Sequence, residues 1–144
     1  MTGIRGIRSD DRERLRRIQQ AVLSDPSPSV LAAALDGPLF GLVAEDSGIV
    51  VGYLLAVVGE TRAYVPELAV AADAQRQGHG SALLTTAIDR FHDRGLTTVR
   101  LTARADDSAA RRFYEELGFE AVERVPDHYD DAAGVVYERR IDDE

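Results

Sequence analysis

Residues 68–81 read Leu68-Ala69-Val70-Ala71-Ala72-Asp73-Ala74-Gln75-Arg76-Gln77-Gly78-His79-Gly80-Ser81. An apolar, β-favouring run gives way to a polar turn, then to Gly-x-Gly, then to helical periodicity. A loop of this kind presents several backbone N–H groups at a helix N-terminus, where the dipole favours an anion. Gly78 and Gly80 permit close approach and φ angles that a Cβ would block. A phosphate or pyrophosphate fits that geometry, and so does a plain strand-to-helix turn. Two rival phosphate loops fail on residue type. A P-loop requires Gly-Lys-Ser/Thr, and the chain has no lysine. A dinucleotide fingerprint requires a third glycine near position 83, which is Leu83.

Outward from this loop, punctuation and periodicity divide the chain. Residues 3–8 read as a first strand, and Ser9 stands as an N-cap with Asp10, Asp11 and Glu13 in the first turn. Leu15, Ile18, Val22 and Leu23 recur at helical spacing up to Pro26, and residues 29–35 form a second helix closed by Asp36-Gly37-Pro38. Strands follow at 39–44 and 49–58, joined by Asp46-Ser47-Gly48, and then at 63–71, which contains Pro66. Residues 80–94 give the strongest helix, with Leu83, Leu84, Ala87, Ile88 and Phe91 on one face and Gly95 at its C-cap. A β-branched strand at 97–103, a helix at 108–117 and strands at 119–125 and 134–141 complete the order β-α-α-β-β-β-α-β-α-β-β. This is an α/β chain (an α+β mixed sheet) with helices on both faces, expected to form one domain over residues 1–144.

Composition narrows the function. The 17 basic residues are all arginine, against 25 acids, for a formal net charge of -8. Such a chain repels a nucleic-acid backbone and attracts cationic amines. Codon bias and adaptation to a salty cytoplasm both account for the missing lysine. There is no cysteine, which removes disulfides, thiolate metal sites and a thiol nucleophile; no metal is expected. No apolar run reaches the roughly 20 residues of a membrane span, and residues 1–17 lack a signal-peptide core. A cytoplasmic protein without membrane association, monomeric or homodimeric, is the expectation.

Gln75-x-x-Gly78-x-Gly80 resembles the Gln/Arg-x-x-Gly-x-Gly/Ala signature of the GNAT N-acetyltransferase superfamily. Leu68-Ala69-Val70 matches that family's Leu-x-Val strand, and Ser81-Ala82-Leu83-Leu84 its following helix. Residues 107–119, Asp107-Ser108-Ala109-Ala110-Arg111-Arg112-Phe113-Tyr114-Glu115-Glu116-Leu117-Gly118-Phe119, resemble its Asn-x-x-Ala-x-x-Phe/Leu-Tyr-x-x-x-Gly-Phe stretch. Residues 97–129 are most similar to the branch that acetylates ribosomal-protein N-termini.

The resemblance implies a GNAT-like fold with a splayed central sheet, and acetyl-CoA as the acyl-donor cosubstrate. Its implied contacts are Leu68, Ala69 and Val70 on the strand, Gln75 to Ser81 in the loop (Gln75, Arg76, Gln77, Gly78, His79, Gly80, Ser81), and Asp107, Ala110 and Tyr114 beyond it. Pro66 cannot donate to a sheet ladder, so it marks either the family's bulge or a protected edge. The implied reaction is direct transfer to a primary amine, a small molecule or a peptide N-terminus. A non-catalytic module that binds acyl-CoA is the alternative. Tyr114 matches the tyrosine that protonates the leaving sulfur, and a main-chain N–H at the bulge is the natural oxyanion donor. Glu67 and Tyr64 are the candidates for relaying the amine proton. Relatives acting on protein N-termini often place Glu or His where this chain has Thr102, and threonine is no comparable base. Asp107 replaces the usual Asn. His79 reads as a surface or packing histidine. Arg76, Arg111 and Arg112 face either the cofactor phosphates or Glu115 and Glu116, and His128 and Tyr129 fall beside the acceptor site.

Overall fold

A computed structural model describes residues 2–142. Its elements are β1 (Thr2–Gly6), α1 (Arg12–Val22), α2 (Pro28–Leu35), β2 (Phe40–Asp46), β3 (Ile49–Val58), β4 (Arg62–Val70), α3 (His79–Asp93), β5 (Thr98–Arg104), α4 (Ser108–Glu116), β6 (Glu120–Val125) and β7 (Gly134–Arg140). The order is the one the sequence predicts. The strands form one sheet, β1-β2-β3-β4-β5-β7-β6, in which only β4 and β5 run parallel.

Local chemistry explains most boundaries. Ser47 and Gly48, at φ 55° and 81°, make the tight β2–β3 turn, in the left-handed geometry that suits a twisted hairpin. Leu83, Leu84, Ala87, Ile88 and Phe91 of α3 are all buried, and Gly95 at φ 84° closes the helix. The N-terminus of α1 departs from expectation. Ser9 opens a short 3-10 turn over Ser9–Asp11 and does not cap with its side chain. Asp11 does that work instead: it accepts from the Arg8 N–H at 2.8 Å and from both Arg5 Nη atoms at 2.9 Å. This buried fork joins β1 to the start of α1.

The centre of the sheet is where the fold becomes useful. Glu67 pairs with Leu55 and Tyr64 with Val57, so Val65 and Pro66 stand opposite Ala56 alone. That extra residue is a β-bulge in β4, placed where proline could not have donated to an ordinary ladder. Beyond it the parallel neighbours separate. β4 pairs with β5 only from Arg62 to Val65, although β4 runs to Val70 and β5 to Arg104. The two faces are filled by different helices. Glu67 bonds Gln19 of α1, whereas Val70, three residues on and so facing the other way, lies against Gly80 of α3.

Burial disfavours ionisation of Asp11, but the Arg5 fork and the Arg8 N–H outweigh it and hold the carboxyl below its ordinary value. The stability it confers is therefore present above the unfolded pKa of about 3.9 and lost as pH falls through the lower folded value. The urea midpoint of Asp11→Asn should fall below wild type at neutral pH, and the gap should close as pH drops below about 4. A gap independent of pH would remove the charge from the account.

Candidate active site

The separation of β4 from β5 opens a cleft of about 770 Å3. One end is the loop from Val70 to α3. Gly78 at φ 88° caps α3 in the left-handed region, and Arg76 at φ 66° shares it, so the loop curls as a nest of N–H groups. Gly80 needs no such freedom: its φ is ordinary, and a Cβ there would meet the Phe113 ring at an ordinary 3.4 Å. Among the described residues, the backbone N–H groups of Gly78, His79, Gly80 and Ser81 donate to no backbone partner, and the first helical bond is Ala82 to Gly78. Four orphaned donors at a helix N-terminus fit a pyrophosphate. Gln75 braces the turn from behind, its Nε2 donating to the Val70 carbonyl at 2.9 Å.

The other wall follows from ladder parity. Ala71 N–H donates to Val51, which puts Ala71, Ala69 and Glu67 in the hydrogen-bonded register with β3. Leu68 and Val70 therefore direct their polar groups into the gap that β5 has left. The structure leaves Ala69 lining the cleft, but with its N–H and C=O turned to β3. Gln77 is exposed and does not line the cleft; the other residues expected to contact the cofactor do. Asp107 meets the cleft as a capping residue, its Oδ1 accepting from Ala110 N–H at 3.0 Å, a task Asp and Asn perform equally well. His79 lends only its backbone. Its imidazole is buried, with Nε2 3.8 Å from Asp46 Oδ2.

Tyr114 stands against Phe113, Phe119 and Tyr137, with ring centroids 5.4, 6.1 and 6.0 Å away. Its hydroxyl makes no hydrogen bond with another described residue. Burial, then the nearby Asp107, Tyr129 and Tyr64, push its pKa above the ordinary phenol value, so it remains a proton donor. Tyr64 crosses the gap to Thr102, hydroxyl to hydroxyl at 2.9 Å.

Glu67 requires a correction. It is neither solvated nor placed as a free base. With 5% of its surface exposed, it accepts from Gln19 Nε2 at 2.8 Å, Tyr53 Oη at 2.9 Å and Ser27 N at 2.8 Å. Burial and then the Glu67 charge raise the Tyr53 pKa. The carboxylate thus pins the α1–α2 connection to the sheet. Arg111 is likewise engaged within the fold, donating to Tyr137 Oη at 3.0 Å and Ala105 O at 3.2 Å, while Tyr137 donates to Glu115 at 2.8 Å. His128 and Tyr129 reach the cleft rim as expected. Sequence reasoning missed Gln19, Ser27 and Arg104, whose partners lie far away in the chain.

A model of the Acetyltransferase (GNAT) family matches residues 6–119. The chain belongs to this family. An uncharacterized N-acetyltransferase of Methanocaldococcus jannaschii, MJ1530, is 29% identical over 136 residues, 92% of this chain and 87% of that protein. The ribosomal protein bS18-alanine N-acetyltransferase of Escherichia coli is 50% identical over 52 residues, 36% of this chain and 35% of that protein. The crystal structure of the ribosomal-protein-S18-alanine N-acetyltransferase from Escherichia coli superposes with a TM-score of 0.91 at 27% identity, over 100% of this chain and 96% of that one. As a GNAT enzyme the chain is an N-acetyltransferase that uses acetyl-CoA as its acyl donor. Among the described residues no helix is long and apolar enough to cross a membrane.

Three variants check the site. A Cβ forced into the left-handed region costs roughly 1–2 kcal/mol, so Gly78→Ala should weaken acetyl-CoA binding about tenfold in a calorimetric titration. Gln77→Ala, outside the cleft, should leave that affinity unchanged. For Glu67, Glu67→Gln puts an amide donor among three donors and should lower unfolding free energy by about 1–3 kcal/mol. It should slow turnover far less than the roughly 100-fold or more expected on removing a general base.

Proposed function

We propose that this GNAT enzyme, acting as one domain, transfers acetyl directly from acetyl-CoA to the α-amino group of a peptide or protein N-terminus. The observation that carries this reading is the Tyr64–Thr102 pair, standing where β4 and β5 part. A pair of hydroxyls positions an amine or a water; it is a poor base. The one buried carboxylate of the cleft, Glu67, is already engaged by three donors. An acceptor suited to such a site arrives substantially neutral. At pH 7.5 roughly a third of α-amines are unprotonated, against about one lysine side chain in a thousand. The alanine N-acetyltransferase named among the relatives acts on an amine of the favoured kind.

Acetyl-CoA supplies an activated thioester carbonyl. The N–H groups of Gly78 to Ser81 hold its pyrophosphate, and the Leu68 carbonyl and Val70 N–H hold the pantetheine amides as an added strand would. The Leu68 N–H, just beyond the bulge, donates to the carbonyl oxygen as charge develops there. The Tyr64 and Thr102 hydroxyls orient the amine and pass its proton to water. Tyr114 gives its phenolic proton to the departing sulfur. With no cysteine in the chain, no thiol offers an acyl-enzyme route.

The test is thiol release from acetyl-CoA with an alanine-led peptide as acceptor. The free α-amine should be acetylated, while an N-terminally blocked peptide carrying lysine should react at most about one hundredth as fast. Tyr114→Phe should cut kcat about 100-fold and leave acetyl-CoA affinity unchanged. Equal rates on the lysine peptide would overturn the acceptor assignment. An unaltered kcat in Tyr114→Phe would overturn the acid.

A further inference from the structure

Arg104 ends β5 two residues beyond Thr102 and lines the cleft on the β5 side. Its guanidinium reaches segments from three parts of the chain. Nη1 donates to Asp25 Oδ2 at 2.9 Å, in the α1–α2 loop. Nη2 donates to Asp131 Oδ1 at 2.7 Å, in the β6–β7 loop, and Nε donates to Asp106 Oδ1 at 3.2 Å, just after β5. Its Cζ also lies 5.1 Å from the ring centroid of Tyr129. Both loops line the cleft, through Leu23, Ser24 and Asp25 on one side and His128 and Tyr129 on the other.

Both loops are also anchored at their bases. Glu67 takes the Ser27 N–H, and Ala105 N–H donates to Ala133 O at 2.9 Å. Between those anchors, the contact that spans the rim is the Arg104 fork. With a donor entering from the α3 face, where Val70 meets Gly80, the face on which Glu67 holds the α1–α2 connection is the way in for the acceptor.

We propose that Arg104 is a positioning residue for the acceptor: it fastens the α1–α2 and β6–β7 loops to β5 and so fixes the entrance through which the amine reaches Tyr64 and Thr102. The proposal rests on the N-terminal acetylation reading for its kinetic consequence, but not for its structural one. It also explains why the residue must be arginine. A guanidinium presents separate N–H vectors to separate carboxylates and a flat face to an aromatic ring, whereas an ammonium is a single point of charge.

The experiment has two arms. Hydrogen exchange on the free enzyme needs no acceptor. Arg104→Ala should quicken exchange in residues 23–26 and 127–132 together and leave β3 unchanged. Asp25→Ala should free only the first segment and Asp131→Ala only the second. The kinetic arm uses the alanine-led peptide. Arg104→Ala should raise the peptide KM about tenfold or more, with a smaller change in kcat and the KM for acetyl-CoA unchanged, because misplacing a reactant by about 1 Å is costly. Arg104→Lys should fall between, and keeps the test available should the alanine variant fold poorly. Unchanged exchange in both loops overturns the proposal, as does a peptide KM that stays at the wild-type value or rises only in step with that for acetyl-CoA. Wild-type enzyme that leaves the peptide unacetylated would instead overturn the N-terminal reading, and the exchange arm alone would then decide the role of Arg104.

Discussion

The separation of two parallel strands organises this enzyme. Strands in a sheet satisfy one another's backbone groups, and leaving them unsatisfied next to protein is costly. Here one extra residue at Val65–Pro66 turns β4 away from β5 halfway along its length. The N–H groups of Leu68 and Val70 and the Leu68 carbonyl are thereby left for a ligand with amides of its own, while the Val70 carbonyl takes the Gln75 amide. The same divergence sets the Val70–Gly78 loop at the mouth of α3, where four more backbone donors wait for an anion. The binding face is thus largely main chain, which is why glycine, proline and strand parity matter more to it than side-chain identity.

Side chains divide the remaining work between chemistry and support, and the division is physical. Hydroxyls flank the place where β4 and β5 part: Tyr64, Thr102 and Tyr114. Charged groups are bound to other elements, Glu67 to α1 and the α1–α2 connection, Asp107 to the start of α4, and Arg104 to the rim. A carboxylate whose oxygens already accept from three donors has none turned to a reacting amine. The geometry therefore favours an acceptor that brings little charge to be removed.

Much of this was legible in the sequence because it depends on local rules. The order of elements follows from periodicity and turn residues, the bulge from a proline in a strand, and the anion site from Gly78 before a helix. What escaped notice depends on pairs far apart in sequence. Nothing near Glu67 announces that Gln19 and Ser27 will reach it from 48 and 40 residues away. Arg104 gave no signal for the same reason, since Asp25 lies 79 residues earlier. Ser9 misled in a different way: it is an excellent capping residue by type, but it lies inside the 3-10 turn, which Asp11, held by Arg5, fastens through the Arg8 N–H. Which residue opens a turn is settled by tertiary neighbours that propensity does not contain.

The absence of lysine ties the composition to the mechanism. Three cations use the geometry of arginine: Arg5 grips both oxygens of Asp11, Arg111 joins a phenol and a carbonyl, and Arg104 spans three carboxylates. A lysine would hold one partner at a time and lose the other loops. There is a chemical counterpart. An enzyme charged with an activated acetyl group acylates amines, and a chain with 17 arginines and no lysine carries no side-chain amine of its own near the cleft. A guanidinium stays protonated at any pH at which the enzyme works, so it offers no lone pair to the thioester. The residue that holds the entrance in place is thus also one that the reaction cannot consume.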